Sequence, residues 1–110
     1  MQDFTQQKMP SGIGSLDPIL DGGVPQGSVI LLLGDLGAGN YEFTYSSVVN
    51  ILGLMKENKP GKVVLPHEIR YITFTRLKED VRHEIVSSLH IDGLEGLVDT
   101  IHFDDLSELY

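Results

Sequence analysis

The sequence predicts an α/β fold: a short, mostly parallel sheet with flanking helices. Three observations carry that prediction. Apolar runs of strand character stand at Ser28–Leu33 (SVILLL) and Ile69–Thr75 (IRYITFT), apolar residues recur at helical spacing over 41–57 and 78–89, and a glycine-rich bend, GDLGAGN, joins the first run to the first helix. Strands that alternate with helices pair in parallel through right-handed crossovers.

From the N-terminus, the Gly-Ser punctuation of residues 11–15 precedes LDPIL, which predicts a short helix capped by Ser15 and reaching about Asp21, with Pro18 in its permissive first turn. Gly22 and Gly23 end it, and GVPQG turns the chain. The run Ser28–Leu33 is continuous rather than alternating, the pattern of a strand buried on both faces. Tyr41, Tyr45, Val48, Val49, Leu52 and Met55 form one face of a helix over about 41–57, which Asn58, Pro60 and Gly61 terminate. KPGKVVLPHE reads as a loop, a short hairpin or an insertion.

Ile69–Thr75, rich in β-branched and aromatic residues, is the second strand. A second helix over Lys78–Leu89 places Val81, Ile85 and Leu89 on one face, with Glu79 and Asp80 favourably at the positive end of its dipole. HIDGLEG breaks that helix, and DTIHF forms a third strand before the acidic tail DDLSELY. The organisation is one domain over 1–110: a leading segment 1–27, a strand–bend–helix unit 28–57, and a strand–helix–strand unit 69–110. There is no internal repeat and no low-complexity stretch.

A chain of 110 residues with 41% apolar content suits one small globular domain. Its apolar runs fall far short of the roughly 20 residues that cross a bilayer, and MQDFTQQKMP has no apolar signal core, so a cytoplasmic location without membrane partners is expected. The absence of cysteine excludes disulfides and thiolate metal sites. A net charge of −8 repels a polyphosphate backbone, so no nucleic-acid partner is expected. Seven of the eight basic residues (Lys56, Lys59, Lys62, Arg70, Arg76, Lys78, Arg82) lie between 56 and 82, whereas 92–110 holds six acids and no base. This asymmetry reads either as solvated faces of opposite sign or as a charged docking surface. His83 and His90 stand seven apart, and His67 and His102 are isolated, which points to structural roles and to no metal site. Tyr41, Tyr45, Tyr71 and Phe74 fall within the helix and strand patterns and read as packing residues.

Gly34, Gly37 and Gly39 have the spacing of a phosphate-cradling loop, GxxxxGK(S/T), but Asn40 and Tyr41 stand where lysine and then serine or threonine belong. The wider stretch SGIGSLDPILDGGVPQGSVILLLGDLGAG resembles the leading segment of the RecA-like ATPases of the KaiC and RadA type, whose pattern is (S/T)GIxxLDxxLxGGxPxGxxxLxxGxxGxGKT. Ser11, Gly12, Ile13, Leu16, Asp17, Leu20, Gly22, Gly23, Pro25, Gly27, Gly34, Gly37 and Gly39 fall in its register. The likeness continues through 69–92, where the family commonly reads YVTFEE, a helix, and an apolar-Asp step like His90, Ile91 and Asp92. The resemblance implies a partial, degenerate RecA-like P-loop fold that covers the first half of a family domain.

In active relatives, backbone N–H groups and a helix N-terminus hold the phosphates, the lysine neutralises them, and the hydroxyl holds Mg²⁺. Here Asn40 carries no charge, Asp35 and Glu42 add negative charge nearby, and the Tyr41 phenol oxygen lies too far out for a metal ligand. The family's glutamate pair after the second strand, one member of which activates water, corresponds to Thr75 and Arg76; neither is a base at neutral pH. Cation, metal ligand and base are all missing.

The resemblance therefore implies a catalytically inactive interaction or regulatory module. No cofactor is required, and its partners would be a second copy, as a homodimer or higher oligomer, or an active RecA/KaiC-like paralogue. The alternative is an ATP or ADP binder with weak or no hydrolysis. Its degenerate site would comprise Gly34, Asp35, Gly37, Ala38, Gly39, Asn40 and Tyr41, with Arg76 restoring the charge lost at Asn40 from the carboxyl end of its strand.

Overall fold

A computed structural model describes residues 8–34, 39–57 and 65–109, apart from the side chain of Glu108. Its elements are β1 (Lys8–Met9), β2 (Val24–Pro25), α1 (Asn40–Glu57), β3 (Arg70–Thr73), α2 (Lys78–Ser88), α3 (Leu94–Val98), β4 (His102–Asp105) and a 3₁₀ turn at Ser107–Leu109. It is a small α/β chain with a short two-stranded parallel sheet. The chain divides into two compact units, one up to Pro66 and one from His67. Each is described by itself.

In the first unit, β1 and β2 pair antiparallel, with Lys8 opposite Pro25 and Met9 opposite Val24. The expected Ser15–Asp21 helix is a series of turns instead. Ile13 O accepts from the N–H groups of Leu16 and Asp17 at 2.9 and 3.0 Å, and Asp17 O accepts from Gly22 N at 2.7 Å. Pro18 has no N–H to extend this ladder. The cap is Ser11 rather than Ser15: its Oγ accepts from Ile13 N at 3.1 Å. Its own N–H and hydroxyl donate to Asp17 Oδ1 at 2.8 and 2.6 Å.

The helix α1 agrees with its expected span to one residue, and it buries Tyr45, Val49, Ile51 and Leu52. The leading segment docks on it through glycine. Gly12 has φ +84°, and a Cβ there would stand 2.9 Å from Ser47 O. Ser47 Oγ donates to Ser11 O, and Asn50 Nδ2 donates to Gly12 O at 2.6 Å. Two polar side chains one helical turn apart thus hold successive carbonyls of the leading segment against α1.

The run Ser28–Leu33 corrects the sequence expectation, because it belongs to no ladder and is not buried. Val29, Leu31 and Leu33 are 97%, 79% and 81% exposed. A strand covered on both faces needs neighbours along its edges and layers above and below it. In this unit the described strands are two residues each and pair only with one another. Every large aliphatic side chain left in water forgoes about 1.5–3 kcal/mol of burial energy. The stretch KPGKVVLPHE lies mostly outside the described residues.

In the second unit, β3 and β4 run parallel and are joined by α2 and α3, in the register Arg70↔His102, Tyr71↔Phe103, Ile72↔Asp104 and Thr73↔Asp105. The expected second strand is present in shorter form, and α2 ends one residue before Leu89. The residues Val81 and Ile85 are buried on α2, at 1% and 0% exposure. The third strand comes later than expected: β4 takes up residues read as acidic tail, and α3 occupies what was read as a helix break. Gly93, at φ 77°, starts α3, and Leu94 and Val98, four apart, are buried by it. Two glycines in HIDGLEG hide that pair from a propensity argument.

The acidic residues of β4 and of the end of α3 have partners on β3 and α2. Arg70 Nη1 stands 3.1 Å from Asp104 Oδ2. Arg82 donates through Nε and Nη2 to Asp99 Oδ1, at 3.0 and 2.5 Å. Arg70 and Arg82 of the basic segment thus meet the acidic segment within one unit, and each exposed pair contributes at most about 1 kcal/mol. Tyr71 and Phe103 pack across the pair with ring centroids 5.8 Å apart.

Asp105 holds the carboxyl end of β4 to the start of α2. Its Oδ2 accepts from Lys78 N at 3.0 Å, and its Oδ1 accepts from Ser107 N and Oγ at 2.8 and 2.5 Å. The Ser107 hydroxyl first, then the Ser107 and Lys78 N–H groups, favour the charged carboxylate and lower its pKa to about 2. The pKa is depressed in the folded chain, so its stabilising contribution is complete above the unfolded value of about 3.9 and fades as pH falls toward 2. Thermal melts of the wild type and Asp105→Asn should therefore differ at pH 6, with the wild type the more stable, and converge near pH 2.

Candidate functional site

The glycine bend is anchored at both ends by described residues, Gly34 and Gly39, while Asp35, Gly37 and Ala38 of the expected site lie outside them. Gly39 adopts φ +86°, a conformation that favours glycine, and its carbonyl accepts from Phe43 N at 2.9 Å to open the first turn of α1. Thr44 Oγ1 donates back to Asn40 O at 2.9 Å. The 18 residues of α1 therefore begin at Asn40, where the resemblance calls for a lysine.

The Asn40 side chain folds against the far end of the bend. A Cβ on Gly34 would lie 2.3 Å from Asn40 Oδ1 and 2.8 Å from Nδ2, so the amide lies directly against that glycine. A neutral amide thus stands between residues 40 and 34. Tyr41 is 55% exposed and stacks on Tyr45 with centroids 6.1 Å apart, so its ring is committed to the side of α1. Glu42 stands in the first turn of α1, and a Cβ on Gly39 would lie 3.8 Å from its Oε2. The positive end of the helix dipole is thereby supplied with the chain's own carboxylate, which opposes any incoming anion.

These residues do not fit a magnesium-bound triphosphate: no cation, no short hydroxyl and an unfavourable charge stand where that group would sit.

No family model, curated protein or solved structure matches this chain. The likeness of its leading segment and bend to the RecA-like ATPases therefore rests on the chain's own residues.

Arg76 lies in the second unit, and its Nη2 is bonded to Glu84 Oε2 on α2. The pairing passes over Glu79 and Asp80 in the first turn of α2 and reaches the next turn. The Arg76 guanidinium thus faces a carboxylate of its own unit.

Elsewhere in the second unit, an open cleft of about 260 Å³ has Val98, Ile101 and Phe103 among its walls and Arg82 and Asp99 bonded to each other beside it. Its charges are internally matched. Among the described residues no three His, Asp or Glu side chains gather in a way that could hold a metal, and no helix is long and apolar enough to cross a membrane. His102 Nε2 stands 3.3 Å from Glu68 Oε2 at the surface.

The residues that sequence reasoning missed are those that seat the bend's leading segment: Ser11 with Asp17, and Ser47 with Asn50. The second pair carried a weak signal, because Ser47 and Asn50 interrupt an apolar helix with polar residues three apart. The first pair is six apart in a glycine-rich stretch, a spacing that no helix or strand period connects.

Proposed function

We propose that this chain is a degenerate RecA/KaiC-like P-loop domain that does not hydrolyse nucleotide and acts as a regulatory or protein-interaction module, binding a second copy of itself or an active relative. One observation carries the reading. The Asn40 amide sits against Gly34 across the bend, with Glu42 in the first turn of α1, so the position where the resemblance calls for a lysine carries neither a charge nor a metal ligand. The Ser11–Asp17 turn and its docking on Ser47 and Asn50 support it further, since they give the SGIxxLD portion of the pattern a structural purpose independent of nucleotide.

Titration calorimetry tests the proposal directly. ATP and ADP at about millimolar concentration, with and without Mg²⁺, should produce no binding heat, a bound of roughly 4 kcal/mol on any affinity. A saturable isotherm that depends on Mg²⁺ would overturn the reading.

A further inference from the structure

We propose that Asp92 is a site of spontaneous modification: its carboxyl closes on the Gly93 amide nitrogen to form a cyclic imide, and the ring reopens to an isoaspartyl link that unseats α3. This site lies in the second unit and is independent of the glycine bend. The chain contains two Asp-Gly steps, Asp21–Gly22 and Asp92–Gly93. Glycine favours the closure at both, because no Cβ hinders approach of the carboxyl to its nitrogen. Their surroundings differ.

At Asp21 both reacting groups are held. Gly22 N–H donates to Asp17 O at 2.7 Å, and the Asp21 carboxylate pairs with Lys8 Nζ at 3.5 Å. Lys8 Nζ also donates to Asp21 O at 3.1 Å, which ties down the backbone beside the reacting bond. At Asp92 neither group is held. Leu94 N–H donates to Ile91 O at 3.3 Å, and Gly93 has φ 77° and ψ 8°, as in the third position of a type II turn. Such a turn bonds its fourth N–H and leaves the third, here that of Gly93, directed away from the closing bond. Among the described residues nothing accepts from Gly93 N–H or pairs with the Asp92 carboxylate, and both residues are exposed. The single bond that closes the turn is long for its kind, so the rotation that brings the Asp92 carboxyl to the nitrogen breaks little.

The step balances without a co-reactant. The Gly93 nitrogen bonds to Asp92 Cγ and gives up its proton, the carboxyl gives up a hydroxyl, and the two leave as water. Water then attacks one of the two ring carbonyls. Attack at Cγ restores aspartate. Attack at the α carbonyl breaks the original peptide bond, leaves an α-carboxylate and routes the main chain through Cγ, longer by one carbon. The inserted carbon falls just before α3, whose Leu94 and Val98 are 2% and 0% exposed and which packs on α2. The longer link shifts Leu94 out of that seat.

The test is to age the full folded chain for weeks in neutral buffer at physiological temperature, beside a sample unfolded in urea, and to map isoaspartate by peptide digestion. In urea the two steps are equivalent and should react alike. In the folded chain the bonds at Asp21 must first be broken, so isoaspartate at Asp92 should exceed that at Asp21 by about tenfold or more. Asp92→Glu, whose imide ring is one atom larger and closes slowly, should lose the modification. Amide exchange should show residues 94–98 losing protection in the aged wild type but not in aged Asp92→Glu. The comparison of two sites within one wild-type sample keeps the test decisive even if Asp92→Glu does not fold. Equal yields at Asp21 and Asp92 in the folded chain, or none at Asp92 while the urea sample reacts, would overturn the site. Unchanged exchange over α3 in chains that carry isoaspartate at Asp92 would remove the effect on α3.

Discussion

Replacing Asn40 by lysine and Tyr41 by threonine together should raise the affinity for Mg·ATP by about three decades over the wild type. The magnitude follows from a unit-charge contact at about 4 Å in an effective dielectric near 20, which is worth about 4 kcal/mol. The position is favourable in geometry, since residue 40 begins α1 and its side chain already reaches Gly34 across the bend. Threonine at 41 would put a short hydroxyl in place of a ring now stacked on Tyr45. Glu42 opposes the gain, so adding Glu42→Gln to the double variant should strengthen binding further. Calorimetry and a ligand-induced rise in melting temperature both read the effect, because ligand at 100 times its dissociation constant adds about 2.7 kcal/mol of stability. Hydrolysis should not return with binding, since Thr75 and Arg76 offer no base. A folded triple variant that still ignores nucleotide would show that the bend only imitates a phosphate loop.

The second large effect is on stability. Alanine at Gly23 should destabilise the first unit by about 3 kcal/mol or more, whereas alanine at the adjacent Gly22 should cost about 1–2 kcal/mol. Both residues have positive φ, 142° and 102°, so both substitutions strain the backbone. Only at Gly23 does the new methyl also collide: its Cβ would fall 2.2 Å from Met9 O and 2.9 Å from Pro10 Cα, which are backbone atoms that cannot swing aside. At Gly22 there is nothing within 4 Å. Amide exchange across residues 8–25 in the two variants checks the contrast. Equal loss of protection would mean that β1 does not lie over Gly23.

The glycine pair thus serves a purpose that the sequence pattern marked without explaining. GG in the leading segment read as the stop of a helix that does not form, and one of its members is required by a neighbour 14 positions earlier in the chain. The same division holds at the bend. That Asn40 has no charge and Tyr41 no short hydroxyl was plain from the residues, because it concerns side-chain chemistry alone. That the Asn40 amide fills the space beside Gly34, and that Glu42 sits at the helix mouth, required coordinates.

The sequence by itself determined α1, β3 and α2 to within two residues at each end, because their signals are local: apolar spacing along a helix, β-branched density in a strand, acids at a helix start. It also determined that the bend lacks the groups that phosphate chemistry uses. Only the tertiary structure decided that Ser28–Leu33 joins no ladder, that Arg76 pairs with Glu84, that α3 and a later β4 replace the expected strand, and that Asp105 fastens β4 to α2. A residue's tendency to bury or extend is its own property. Which surface it meets depends on segments distant in the chain, and no local period encodes that choice.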